Sequence, residues 1–72
     1  MTVKELIEKL QQFDDQLMVV IDGYEGGVDE PKDPVEVIIK MNHHKEWYYG
    51  KHEIHHENDN DPPDRIAVYI SR

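Results

Sequence analysis

Apolar residues recur at helical spacing through the first thirteen positions of the chain. Thr2 and Glu5 are spaced as a capping box, in which the threonine hydroxyl accepts from the glutamate N–H. The apolar residues that follow form one stripe on a helical projection: Val3, Leu6, Ile7, Leu10 and Phe13. The pattern predicts a helix over residues 2–13, ended by Asp14 and Asp15.

The later segments have patterns typical of β-strands. Residues 17–21 are continuously apolar, as in a strand covered on both faces. Residues 35–41 alternate and place their larger apolar side chains on one face, and residues 65–70 place Ile66, Val68 and Ile70 on one face and Ala67 and Tyr69 on the other. Residues 46–57 are a further candidate, with a bend or bulge at Gly50. The order predicts an α+β fold, with the N-terminal helix packed on a small antiparallel sheet of three to four strands.

Two connections complete this prediction. Residues 28–34 contain two prolines and three acids, which indicates an irregular connection, and residues 58–64 read as a polar loop. No internal repeat or linker divides the chain, so residues 1–72 are predicted to form a single small domain.

The size of the chain restricts how it is stabilised. A domain of 72 residues without cysteine has no disulfide, and a chain this short buries only about 60% of its unfolded surface. The three apolar strands offer more surface than one helix covers, which predicts a homodimer. No leader or membrane span is apparent, and a cytoplasmic location is expected.

Charge is strongly negative and unevenly distributed. The formal net charge is −8, of which residues 1–36 carry −7 and residues 37–72 carry −1 together with all five histidines. Such a surface repels phosphate backbones and anionic membranes, so direct binding to nucleic acid or membrane is not expected. The electrostatically favoured partner is a protein with a basic surface.

A glycine-rich acidic loop directly follows the apolar run at residues 17–21. Three glycines exceed what a two-residue turn needs, and they allow positive φ or close approach of a partner to the backbone. The loop is therefore predicted to present a tyrosine and carboxylates to a partner or ligand. Its candidate binding residues are Asp22, Gly23, Tyr24, Glu25, Gly26 and Gly27.

Residues 2–11, which contain ELIEKLQ, and residues 22–27, DGYEGG, resemble a group of short uncharacterised proteins of bacterial and phage genomes. The segment WYYG at residues 47–50 and the final Ser71 and Arg72 are also similar. Small acidic phage proteins often block host defence systems. The resemblance therefore implies an inhibitory or sequestering role of phage or prophage type.

Aromatic and basic side chains give further candidates. Trp47 and Tyr49 are predicted to share one strand face and, with Tyr24, to stack on a planar ligand or anchor an interface. Arg65 and Arg72 are the only arginines and suit a ligand phosphate or carboxylate.

Metal binding and catalysis receive little support. Five histidines lie within residues 43–56, where His52 and His56 would share one strand face, but no zinc motif is present, and residues 58–61 lack the glycine and glutamate of a calcium loop. There is no cysteine, and Ser71 is the only serine. We predict a non-catalytic protein without cofactor or metal.

Two hypotheses remain. In the first, the acidic residues around the glycine loop, which include Asp22, Glu25 and Asp29, occupy a basic surface of a host defence protein. In the second, the protein sequesters a nucleotide-like signal: Tyr24 and Trp47 stack the base, the loop glycines approach phosphate or ribose, and Arg65 or Arg72 neutralises charge.

Overall fold

The computed structural model describes residues 1–58, 60 and 62–72. Its elements are α1 (Val3–Leu10), β1 (Ile21–Asp22), β2 (Val28–Asp29), β3 (Val35–Lys40), β4 (Glu53–Ile54) and β5 (Arg65–Tyr69). The helix and two small antiparallel sheets make the fold α+β, as predicted. Two compact units are present: Met1–Asp33 with Ile70–Arg72, and Pro34–Tyr69.

The helix begins as the sequence indicates and ends earlier. Thr2 is the N-cap, and its hydroxyl accepts from the Glu5 N–H and donates to the Glu5 carboxylate, both at 3.1 Å. The predicted end at residue 13 is wrong, because Gln12 and Phe13 donate to carbonyls only three residues back, at 3.4 and 3.1 Å. A tighter final turn of this kind is common where a helix ends.

The predicted strand at residues 17–21 is wrong except at Ile21. Asp14 organises a turn there: its side chain accepts from the Gln16 N–H at 2.9 Å, and its carbonyl accepts from the Leu17 N–H at 3.2 Å. Residues 18–20 then continue without belonging to a strand. Apolar content favours a strand, but a strand also needs a neighbour to bond its backbone, and β2 extends only far enough to pair with Ile21 and Asp22.

The first sheet is a hairpin. Ile21 pairs with Asp29 and Asp22 pairs with Val28, so residues 23–27 form a five-residue connection between β1 and β2. The prediction that residues 28–34 are wholly irregular is therefore wrong for Val28 and Asp29. A strand of only two residues shows no alternation of apolar and polar side chains, so the sequence does not reveal β2 unless its partner β1 is known.

The second sheet has the strand order β4-β3-β5 and is antiparallel throughout. β3 pairs with β5 along its length, from Val35 opposite Tyr69 to Ile39 opposite Arg65, and Ile39 also pairs with Ile54 of β4. The alternation seen in the sequence is retained in this register. Val35, Val37 and Ile39 share a face, and Ile66 and Val68 lie on the opposite face.

Residues 46–57 do not form the continuous strand that was predicted. Only Glu53 and Ile54 are in a strand, and residues 47–48 form a turn in which Tyr49 donates to the Glu46 carbonyl at 3.1 Å. β4 pairs with β3 at only two positions, Ile39 opposite Ile54 and Lys40 opposite Glu53, on the edge of β3 that faces away from β5. The polar loop predicted at 58–64 includes Asp59 and Asp61, which lie outside the described residues.

The described apolar side chains leave an unusually large surface in solvent. Among the residues that the structure describes, no apolar side chain is buried, and the buried residue is Lys40, which is 7% exposed. The accessible surface is 6832 Å². A compact monomer of 8.5 kDa exposes about 4,700 Å², and two separate units of half that mass expose about 5,600 Å² together.

Candidate functional site

The glycine-rich loop forms the tip of the β1–β2 hairpin. The Gly23 N–H donates to the Gly27 carbonyl at 3.0 Å, which closes the loop at its base. Three successive residues then take positive φ: Glu25 at 58°, Gly26 at 136° and Gly27 at 66°. The two glycines adopt this backbone at little cost, which accounts for their presence.

Glu25 is the exception in this loop. Its φ of 58° lies in the left-handed region, where a side chain with a Cβ costs about 1 kcal/mol or more and glycine costs little. Gly26 and Gly27, which follow it, take positive φ at little cost, and glycine would do the same at position 25. Strained residues of this kind cluster at functional sites, and a glutamate at this position places a carboxylate at the tip of the hairpin.

Tyr24 projects from the same tip and is 72% exposed. The Arg72 guanidinium lies over its ring, with Cζ 4.9 Å from the ring centroid. The C-terminal segment is held at this site because the Lys32 N–H donates to the Ser71 carbonyl at 2.8 Å. The sequence indicated Tyr24 and Arg72 separately, but it contained no signal that they pair.

The hairpin is uniformly acidic. Residues 21–30 contain four carboxylates, Asp22, Glu25, Asp29 and Glu30, and no basic residue. Within the described part of the chain, no ion pair involves any of the four. With the exposed Tyr24, they form what we call the acidic hairpin surface. Arg72 is the cation placed beside it.

A second group of candidate residues lies in the other unit, on the connection from β3 to β4. Trp47 and Tyr49 do not share a strand face as predicted, because both lie in or beside a turn; Trp47 is 94% exposed. The Trp47 and Tyr48 rings meet edge to face, with centroids 5.7 Å apart. The Tyr49 ring instead lies 4.3 Å from the His44 ring.

This connection surrounds a concave pocket of about 530 Å³. Its lining is rich in cationic and aromatic side chains: Asn42, His44, Lys45, Glu46, Trp47, Tyr49, Gly50 and Lys51. The loop is held by the Asn42 N–H, which donates to Nδ1 of His52 at 2.9 Å, and Asn42 itself takes a φ of 52° that asparagine tolerates. Arg65, the remaining predicted binding residue, is exposed at the start of β5.

The histidines are used in structural contacts. Nε2 of His44 and Oε2 of Glu53 are 2.6 Å apart, and the His43 ring meets the His44 ring edge-on at 4.7 Å. Residues 51–57 are not one extended strand, since only Glu53 and Ile54 belong to β4, so the prediction that His52 and His56 share a strand face is wrong. Among the residues described, no group of three or more histidine and carboxylate side chains could hold a metal ion.

The contact with His44 makes Glu53 responsible for an acid-sensitive part of the stability. The hydrogen bond from His44 holds the pKa of Glu53 below its ordinary value of 4.5, partial burial opposes this, and the charges of His44, His43 and His56 lower it further. A carboxyl whose pKa is lowered by folding stabilises the fold above its unfolded pKa. That contribution is lost as the pH falls through the folded pKa.

We therefore expect Glu53→Gln to lower the urea midpoint at neutral pH and to make little difference at a pH below the folded pKa. The measurement is the urea midpoint of both proteins as a function of pH. Glu36→Gln is the control, because it removes a strand carboxylate without removing the His44 contact. A difference between wild type and Glu53→Gln that stays constant across the acid range would contradict this assignment.

No protein-family model matches the chain, and neither a curated protein nor a solved structure shows significant similarity to it. Among the described residues, no helix has the length and apolar character needed to cross a membrane.

Proposed function

We propose that this is a non-catalytic binding protein that inhibits a partner by occupying a basic surface on it, with the acidic hairpin as the main contact. The partner class follows from charge and from the phage-type resemblance, which suggests a host defence protein. The observation that carries the proposal is Glu25, a carboxylate maintained in a backbone conformation that favours glycine.

The composition of the hairpin tip supports a protein partner. Tyrosine is enriched at the energetic centres of interfaces because it combines a large apolar ring with a hydroxyl. Here Tyr24 is exposed and lies next to Glu25. An aromatic side chain beside carboxylates matches a basic surface that also offers an apolar or cationic contact to the ring.

Charge complementarity would act mainly on the rate of association. The chain carries a formal charge of −8, and residues 21–30 contain no cation that would neutralise their four carboxylates internally. Complementary fields accelerate association and are screened over about 8 Å at physiological ionic strength. Binding should therefore weaken steeply with added salt.

The apolar surface gives such a complex further contact area. In the first unit, a groove of about 560 Å³ runs beside α1, lined mainly by apolar side chains such as Ile7, Leu10 and Phe13 and by residues 17–20. Apolar contacts of this kind are insensitive to salt and slow dissociation. The two kinds of contact can be separated by their salt dependence.

Glu25→Gly is expected to separate stability from binding. The substitution should raise the free energy of unfolding by up to about 1 kcal/mol, because glycine relieves the positive φ but gains entropy in the unfolded chain. It should also weaken partner binding, because one carboxylate is lost from the acidic hairpin. The measurements are urea unfolding, capture of partners from bacterial lysate, and titration of the captured protein at low and physiological ionic strength.

Glu8→Gln is the matched control, since it removes one exposed carboxylate from the helix and leaves the hairpin unchanged. If Glu25→Gly and Glu8→Gln bind the captured protein equally well, the hairpin is not the contact. If the affinity of the wild-type protein does not change between low and physiological salt, the electrostatic part of the proposal is wrong.

The pocket on the β3–β4 connection favours the second candidate, sequestration of a nucleotide-like ligand. Lys45, Lys51 and His44 line it together with Trp47 and Tyr49, and Glu46 is the one acid in that lining. Cations for phosphate and aromatic rings for a base are the groups that such a ligand needs. The formal charge of −8 opposes an anionic ligand, so this function ranks second.

Trp47 offers a direct test of the second candidate, since it is the only tryptophan in the chain. Stacking of a base on its ring should quench its fluorescence during titration with AMP, ADP or NAD⁺. Lys51→Glu should weaken that quenching, whereas Lys32→Glu makes the same change of charge outside the pocket lining. Unchanged fluorescence at saturating nucleotide would exclude stacking on Trp47.

A further inference from the structure

The second sheet has an open edge at β5. In the order β4-β3-β5, β5 is bonded to β3 on one side, and no other strand of the described residues pairs with its second side. The opposite edge of the sheet is the two-residue β4, which is too short to recruit another strand. β5 carries neither lysine nor proline, two of the residues that commonly protect an edge.

The register shows which backbone groups face this open edge. The His55 N–H donates to the Ile38 carbonyl at 2.8 Å, so the backbone of Ile38 faces β4. Its neighbour Val37 therefore faces β5, where it lies opposite Ala67. Because backbone groups alternate in direction along a strand, Ile66 and Val68 direct their N–H and C=O groups to the open side.

The same strand is the most favourable place for two copies of this acidic chain to meet. Every other helix and strand of the described residues contains at least one aspartate or glutamate, whereas β5 contains none and carries Arg65. Its apolar side chains are exposed: Ile66 by 66%, Val68 by 47% and Tyr69 by 43%. Two molecules with a charge of −8 each approach one another here with the least local repulsion.

The surface area is sufficient for such a contact. The accessible surface of 6832 Å² exceeds that expected for two separate compact units, about 5,600 Å², by more than about 1,000 Å². A stable protein interface buries about 800 Å² on each partner. The chain therefore exposes enough excess surface for one interface of ordinary size.

We propose that β5 pairs with β5 of a second copy of the chain, antiparallel and centred on Ala67, to give one continuous six-stranded sheet. This is the symmetric register that pairs all five residues of the strand. Ile66 of each copy lies opposite Val68 of the other. The outward-facing backbone groups of these two pairs form four hydrogen bonds. Arg65 lies opposite Tyr69 of the second copy, and no like charges face each other.

A single cysteine tests this register, since the native chain has none. In the proposed dimer Ala67 faces Ala67 of the second copy, and this pair is not hydrogen-bonded because the Ala67 backbone groups face β3. Facing Cα atoms of such a pair lie about 4.5 Å apart, within the range a disulfide spans. Ala67→Cys should therefore form a disulfide-linked dimer on mild oxidation. Tyr69→Cys is the matched control on the same strand and face, and its cysteine should stay unlinked because it lies opposite Arg65.

A charge-swap pair tests the contact without cross-linking. Ile66→Lys and Val68→Glu should each weaken self-association by about tenfold, because two apolar cross-strand pairs are lost per dimer. A mixture of the two variants should recover association, since the introduced lysine of one copy then faces the introduced glutamate of the other. Sedimentation velocity measures the association of each variant alone and of the mixture, and circular dichroism establishes that each variant is folded.

Salt separates this dimer from the complex with a basic partner. Dimerisation should strengthen with salt, which screens the repulsion between two negative chains, whereas binding of a basic protein should weaken. A wild-type chain that sediments as a monomer at high micromolar concentration overturns the proposal. Equal cross-linking of Ala67→Cys and Tyr69→Cys, or no recovery in the mixture of charged variants, overturns the register.

Discussion

Val37→Pro is expected to abolish the cooperative unfolding of the second sheet. Val37 lies in the middle of β3, the central strand, and its backbone faces β5 opposite Ala67. Proline lacks the N–H needed for this ladder, and its ring does not fit a central strand. Proline in a helix interior also removes a backbone hydrogen bond and costs about 3 kcal/mol or more, and we expect a cost of similar size here. The whole stability of a 72-residue protein is about 4–11 kcal/mol.

The measurement is urea unfolding followed by circular dichroism, with Val37→Thr as the control. Threonine retains the β-branch and the backbone N–H, and its half-buried hydroxyl should cost only about 1 kcal/mol. We expect an ordinary transition for the threonine variant and a lost or strongly shifted one for the proline variant. Similar midpoints for the two would mean that the β3–β5 ladder contributes little to stability.

Gly23→Ala is expected to destabilise the hairpin by about 1–3 kcal/mol, the usual cost of forcing extra atoms into a filled position. A Cβ at Gly23 would lie 2.8 Å from the Gly26 carbonyl oxygen and 3.1 Å from Oδ2 of Asp29. The aspartate side chain can move away. The carbonyl is part of the loop backbone, which the Gly23–Gly27 hydrogen bond holds in place.

Gly50→Ala is the matched control for this prediction. A Cβ at Gly50 would meet no atom within 4 Å, and its backbone does not require positive φ. Alanine should therefore be tolerated there and stabilise the fold by about 0.4–1 kcal/mol, by restricting the unfolded chain. The difference between the two urea midpoints is the quantity to measure. An unchanged midpoint for Gly23→Ala would show that the loop relaxes without cost.

The binding properties of the two glycine variants carry a separate consequence. Gly23→Ala distorts the loop that presents Tyr24 and Glu25, without changing any charge. It should therefore weaken capture of a partner by the acidic hairpin, whereas Gly50→Ala should not. Equal weakening by both variants would indicate that the loss follows from general instability.

The candidate site was predictable in its composition and only partly in its geometry. The sequence indicated an acidic loop at residues 22–27, because glycines interrupt an apolar run; the connection itself is residues 23–27, since Asp22 belongs to β1. It could not show that Glu25 takes a positive φ, since the preference for glycine there belongs to the backbone position. It also could not show that Arg72 lies over Tyr24, because that pairing depends on a backbone contact between Lys32 and Ser71.

Local sequence is sufficient for those features of the fold that depend on short spacing. The Thr2 cap, the apolar stripe of α1, and the alternation in β3 and β5 arise from residues within a few positions of one another. The features that require a partner distant in the chain arise only in the folded protein. Residues 17–20 are apolar enough for a strand but have no strand to bond them, whereas Val28 and Asp29 become a strand because β1 lies opposite. A strand exists only where its backbone hydrogen bonds are made, and local sequence does not contain that information.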